Sequence, residues 1–146
     1  MTDAPVLLVE DNPDDVLLTR HAFAKNGFGD RIVDLPDGEA CLAALLPGSD
    51  PYARALTPAV VLLDINLPRI GGLDVLRRIR AEQATRVLPV IMLTTSREQR
   101  DIAESYRLGA NSFVRKPIAF SEFLAMVRIL GTYWLRINEP NPAPPR

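Results

Sequence analysis

Short apolar runs alternate five times with longer stretches of helical periodicity along this 146-residue chain, and no other feature restricts its fold as much. Val6–Val9 is a β-branched and leucine run followed by Glu10-Asp11-Asn12-Pro13. Asn12 is a good N-cap and Pro13 a good first helical residue, which predicts a helix ending near Gly27. Arg31–Leu35 reads as a second strand and Gly38–Leu46 as a second helix; Pro47–Pro58, with three prolines and a glycine, reads as a long loop. Ala59–Asp64 is the most apolar run and suits a central strand covered on both faces. After Pro68 and Gly71-Gly72, Leu73–Ala81 places Val75, Leu76 and Ile79 on one helical face, with Arg77, Arg78 and Arg80 elsewhere. Pro89 introduces a strand over Val90–Leu93, and Arg97–Leu108 is a more polar helix stopped by Gly109. Ser112–Arg115 is a fifth strand, and a fifth helix runs from Ala119 onward. Such alternation implies parallel strands joined by right-handed crossovers, hence an α/β doubly wound sheet.

In sheets of this kind the ligand site lies outside the carboxyl ends of the strands. The residues at those ends are Glu10 and Asp11 after the first strand, Asp64 at the third, Thr94 after the fourth and Lys116 after the fifth. Three clustered carboxylates repel one another, and a divalent cation is the simplest remedy; Mg²⁺ prefers such hard oxygen ligands. Lys116 is one of only two lysines among seventeen basic residues, the rest being arginine. It offers a mobile point charge for a phosphoryl oxygen, a role that arginine does not fill interchangeably. An aspartate so placed can attack a phosphoryl group in line, with charge and positioning as the protein's contribution.

Composition removes other classes. Seventeen basic residues against eighteen acidic ones leave no excess for gripping nucleic acid, and one Cys with one His excludes a disulfide framework and thiolate or histidine metal clusters. The opening MTDAPVLLVE is no signal peptide, and no apolar run is long enough to span a membrane, so a cytoplasmic protein is expected. Taken singly, several residues have simpler uses. Asp14 and Asp15 suit a helix N-terminus, Thr94 a strand end, His21 a surface or core position, and Cys41 a small apolar filler.

Four pieces in order, namely Glu10-Asp11, the segment LLDINLPRIGG around Asp64, the LTTS around Thr94 and Lys116-Pro117, resemble the receiver domain of two-component response regulators. Thr94 follows Asp64 by 30 residues and Lys116 follows it by 52, as in that family. The resemblance covers about residues 5–132. It implies a flavodoxin-like five-stranded sheet of order 2-1-3-4-5 and a phosphoacceptor at Asp64. Further implications are Mg²⁺ held by Asp11, Asp64 and the Asn66 carbonyl with Glu10 acting through water, and a partner histidine kinase. Thr94 and Lys116 would bind the phosphoryl group, Phe113 stands where the family carries its switch aromatic (often Tyr), and Asn66 and Ser96 stand where members tune the acyl phosphate's lifetime.

The end of the chain suggests a subgroup. Lys116 is followed by 30 residues, most of them used by one helix, so no output domain is expected and output falls to protein contact. Phe120, Phe123, Leu124, Val127 and Leu130 make a core stripe, while Met126, Ile129, Tyr133, Trp134, Leu135 and Ile137 exceed what one face requires. The expected division is a receiver over 1–132 and an extension over 133–146, an apolar arm with a proline-rich, extended tail. Met126, Ile129, Tyr133 and Trp134 are candidates for a homodimer interface. These features resemble the small receivers serving phytochrome-type kinases of bacteria and cyanobacteria, several of which dimerise through C-terminal segments. Two other readings remain open from the residues. One is a phosphohydrolase of the haloacid-dehalogenase type, although Asn66 stands where those enzymes carry a second Asp. The other is a flavin- or nucleotide-binding domain, although EDNPDD is acidic and lacks glycine.

Overall fold

A computed structural model of the chain describes residues 3–48 and 55–142. Its elements follow in strict alternation: β1 (Val6–Val9), α1 (Pro13–Lys25), β2 (Ile32–Leu35), α2 (Gly38–Leu45), β3 (Val60–Leu63), α3 (Gly72–Ala81), β4 (Val90–Thr94), α4 (Gln99–Arg107), β5 (Ser112–Arg115) and α5 (Phe120–Thr132). A single π-helical turn, Tyr133–Ile137, closes the regular structure. All strand pairs are parallel, in the order β2-β1-β3-β4-β5. The doubly wound sheet expected from the sequence is therefore present, with helices on both faces.

The three central strands β1, β3 and β4 are buried on both sides, which is why they read as nearly unbroken apolar runs, whereas the edge strands β2 and β5 are partly exposed. Leu7, Val9, Val61 and Leu63 point to a core closed by Cys41, Leu42 and Leu45 of α2 and Val75, Leu76 and Ile79 of α3. Val6, Leu8, Val60 and Leu62 point the other way, toward Ala22 and Phe23 of α1 and Phe123 and Val127 of α5. Cys41 is the expected apolar filler, and burial pushes its thiol up to about 12, so it carries no reactivity at neutral pH. His21 is a surface residue whose ring stacks on Phe120 at 5.7 Å between centroids. Among the described residues, no helix is long and apolar enough to cross a membrane.

Three expectations change. The fourth helix starts at Gln99 rather than Arg97, because the Ser96 hydroxyl donates to Asp101 and accepts from the Glu98 amide, using the preceding residues as a lead-in. Phe120 is not core; it lies 36% exposed at the start of α5. Leu135 is not surplus surface; it is 1% exposed and joins the α1–α5 core. The π turn explains the last shift. The Asn138 amide donates to the Tyr133 carbonyl, and the wider turn advances the helical phase so that Leu135 faces inward. Gly131 lets this happen, since a Cβ there would stand 2.6 Å from the Phe28 ring, and Arg136 covers that ring's face at 4.9 Å. Part of the Pro47–Pro58 loop and part of the proline-rich tail lie outside the described residues.

Candidate functional site

The sheet delivers its polar residues to one place because β1, β3 and β5 each make one more backbone bond just past the strand's end. The Asp64 amide donates to the Val9 carbonyl at 3.2 Å, the Glu10 amide to the Leu35 carbonyl at 3.1 Å, and the Lys116 amide to the Thr94 carbonyl at 2.8 Å. These bonds hold Glu10, Asp64 and Lys116 at the mouth of the sheet. Asn12 then caps α1, its side chain accepting from the Asp14 and Asp15 amides, and so turns the chain away directly after Asp11.

Glu10, Asp11 and Asp64 each present a carboxylate oxygen within 4.8 Å of the others. Glu10 and Asp64 are buried and Asp11 is exposed, which leaves one open approach. Lys116 reaches across with its side chain only 9% exposed. Its ammonium donates to Glu10, to Asp15 Oδ2 at 3.2 Å and to Asp64 Oδ2 at 3.2 Å. The other Asp64 oxygen accepts from the Asn66 amide at 3.2 Å. Burial, helped by the neighbouring Asp64 charge and opposed by Lys116, leaves the Glu10 carboxyl raised to about 7. Burial works against the charged form of Lys116, but the Glu10 hydrogen bond and the carboxylates of Asp64, Glu10 and Asp15 outweigh it and hold the ammonium above its ordinary value.

The donor set fits a small hard cation. Three carboxylates with mutual repulsion to relieve, one open side and a single lysine are the chemistry that Mg²⁺ matches. Asp11 and Asp64 would hold it directly and Glu10 through water, with the Asn66 carbonyl as the third protein ligand that the family resemblance implies.

The other expected residues lie differently. Thr94 is fully buried at the end of β4, and its hydroxyl oxygen accepts from the Ser96 amide at 3.3 Å. Phe113 is half-buried and packs against the α2–α3 side of the core. At the C-terminal end, Ile129 and Tyr133 are 62% and 44% exposed, whereas Met126 and Trp134 are half-buried against the α1–α5 core. Two residues escaped the sequence reading. Asp15, taken for a helix-terminus acid, lies in the first turn of α1 and reaches Lys116. Gly72, the first residue of α3, lies directly against the Asp64 carbonyl.

Comparison with known proteins agrees with this geometry. Residues 6–128 match the family described as "Response regulator receiver domain". The probable methanogenesis regulatory protein FilR2 of Methanothrix harundinacea is 39% identical over 94% of this chain and 88% of its own length. The crystal structure of the phosphorylated cyanobacterial phytochrome response regulator RcpA superposes with a TM-score of 0.83 at 31% identity, covering 96% of this chain and 99% of that one. The Mn²⁺-bound form of response regulator Rcp1 gives 0.82 at 29% identity, over 94% and 99% of the two chains. These matches favour the receiver reading over the hydrolase and flavin alternatives.

Proposed function

Because the chain belongs to the response regulator receiver family, whose members are signalling proteins, we propose that Asp64 accepts a phosphoryl group from the phosphohistidine of a partner kinase. The observation that carries this reading is the convergence of Asp64, Glu10, Asp11 and Lys116 at the carboxyl end of the sheet. An Asp64 carboxylate oxygen attacks phosphorus. The phosphorus–nitrogen bond breaks with its electron pair returning to the imidazole, and a mixed anhydride forms on Asp64. Lys116, already bonded to Asp64, is placed to neutralise a phosphoryl oxygen. Bound Mg²⁺ supplies the remaining positive charge for the phosphoryl oxygens.

The Thr94 hydroxyl, which accepts from the Ser96 amide, then donates its own proton in a hydrogen bond to the phosphoryl group, and Phe113, lacking a hydroxyl, follows through packing alone. Asn66 and Ser96 border the route by which water reaches the anhydride and set its lifetime. A kinase must approach this site, and Leu17, two residues past Asp15 in α1, and Ile118, two residues past Lys116, offer it apolar side chains that are 66% and 94% exposed. Likeness to the phytochrome response regulator RcpA supports a phytochrome-type kinase as that partner. Phosphorylation is tested by incubating the protein with Mg²⁺ and acetyl phosphate. Intact mass is expected to gain one phosphoryl group, mapped to Asp64; no adduct, or one on another residue, overturns the reading.

We further propose a receiver unit over residues 1–132 and an extension over 133–146 that supports a homodimer. Ile129, Tyr133 and Ile137 stand at helical spacing and are all exposed, 62%, 44% and 62%. Of the four residues expected at this interface, Ile129 and Tyr133 lie on that stripe, while Trp134 and Met126 support it from the core side. Replacing Ile129 and Tyr133 together by Ser is expected to convert a dimer to a monomer in light scattering, with little change in melting temperature. An unchanged mass would count against the interface.

A further inference from the structure

The ammonium of Lys116 has three protons, and the structure gives each a carboxylate: Glu10 of the β1–α1 turn, Asp64 at the end of β3, and Asp15 in the first turn of α1. Only the Asp64 bond changes when a phosphoryl group joins that oxygen, because the group then stands between Asp64 and the ammonium. The other two can persist. Glu10 fixes Lys116 from the floor of the site and Asp15, with its side chain 38% exposed, fixes it from the rim. Two anchors from different directions remove the free rotation that a lysine stem otherwise retains. Asp15 is itself held, since its amide donates to the Asn12 cap, and its carboxylate sits at the positive end of α1.

We propose that Asp15 is a positioning residue for phosphoryl transfer, acting through Lys116 as the second anchor of its ammonium. The proposal rests on the phosphoacceptor reading above. It does not compete with the phosphoryl group for Lys116, because three donors serve three acceptors before and after transfer.

The test uses the full chain and two readouts. Lys116 and Lys25 are the only lysines, so ammonium ¹H–¹⁵N spectra of the metal-free protein assign themselves. One slowly exchanging ammonium signal, from Lys116, is expected in the wild type and in Asp15→Asn, whose amide oxygen still accepts; in Asp15→Ala it should broaden away. In acetyl phosphate time courses, Asp15→Ala should slow the step at saturating Mg²⁺ by about fivefold, the worth of one net hydrogen bond. Half-saturation by Mg²⁺ should stay within about twofold, and Asp15→Asn should keep the wild-type rate within about twofold.

An unchanged ammonium signal in Asp15→Ala overturns the proposal even if the protein is never phosphorylated. So does Asp15→Asn as slow as Asp15→Ala, which would make Asp15 a source of field and not of position. A loss appearing wholly in Mg²⁺ half-saturation overturns it as well. If Asp15→Ala melts before the assay temperature, Asp15→Leu, which keeps bulk but offers no acceptor, takes its place with the same expected losses of signal and rate, and an unchanged signal there overturns the proposal. Absence of any adduct in the wild type would instead strike the phosphoacceptor reading and leave the spectral test standing.

Discussion

Asp64→Asn is expected to eliminate phosphoryl adduct formation completely while raising the thermal stability of the metal-free protein. The first effect follows from chemistry, since an amide oxygen is too weak a nucleophile to form the anhydride. The second follows from charge. Glu10, Asp11 and Asp64 present oxygens within 4.8 Å of one another, and Lys116 keeps Glu10 and Asp15 as partners when Asp64 is neutralised. Relief of this repulsion, less the lost ion pair, is worth about 1 kcal/mol and so roughly 3 °C in Tm. The rise in Tm that Mg²⁺ gives the wild type should disappear in the variant, because one of the two direct carboxylate ligands is gone.

The gap also has a pH sign. The Glu10 carboxyl titrates at about 7 in the folded protein, far above its unfolded value, so it holds a proton in the fold that the unfolded chain has already released. The net cost of ionising Glu10 in the fold, set first by burial and then by the Asp64 charge, is therefore absent below about pH 4.5 and complete only well above 7. The stabilisation of Asp64→Asn over wild type should accordingly shrink as pH falls from 8 to 6. A variant that still forms the adduct, or that melts lower than wild type in chelator at pH 8, would contradict the placement of these carboxylates.

Much of the site was legible because the doubly wound sheet itself does the placing. Once Val6–Val9, Ala59–Leu63 and Val90–Leu93 read as parallel strands, Glu10, Asp64, Thr94 and Lys116 had to gather at one edge. What was hidden depended on the phase of a helix or on contacts across loops. Asp15 satisfies a helix N-terminus so well that its charge needed no second explanation, although it also reaches Lys116 across the site. Leu135 and Phe120 were exchanged between core and surface. A 3.6-residue period carried past Thr132 does not foresee the π turn that re-aims Leu135, and Phe120, the first residue of α5, stacks on the surface ring of His21. Trp134 looked like an exposed anchor for the same reason and is half-buried.

Gly72→Ala is the second change with a large expected effect, and nothing about Gly72 alone predicts it. Its backbone is ordinary helix, so the requirement is one of space and not of conformation. A Cβ at this position would stand 2.0 Å from the Asp64 carbonyl oxygen, 2.8 Å from the Asp64 carbonyl carbon and 2.8 Å from Ile65 Cα. All three are main-chain atoms, so no side-chain rotation can make room. Either α3 lifts from the sheet, leaving Val75, Leu76 and Ile79 poorly packed, or the end of β3 moves and takes Asp64 with it. The cost is about 3 kcal/mol, near the upper end for overpacking, and close to 10 °C in Tm. A displacement of Asp64 by about 1 Å would add a roughly hundredfold loss in phosphorylation rate. The neighbouring Gly71 is the control. A Cβ there meets only the Ile65 carbonyl oxygen at 3.7 Å, an ordinary contact, so Gly71→Ala should fold and accept phosphate nearly as the wild type does. If the two alanine variants melt together, the close approach of α3 to the phosphoacceptor strand is not what fixes Asp64 in place.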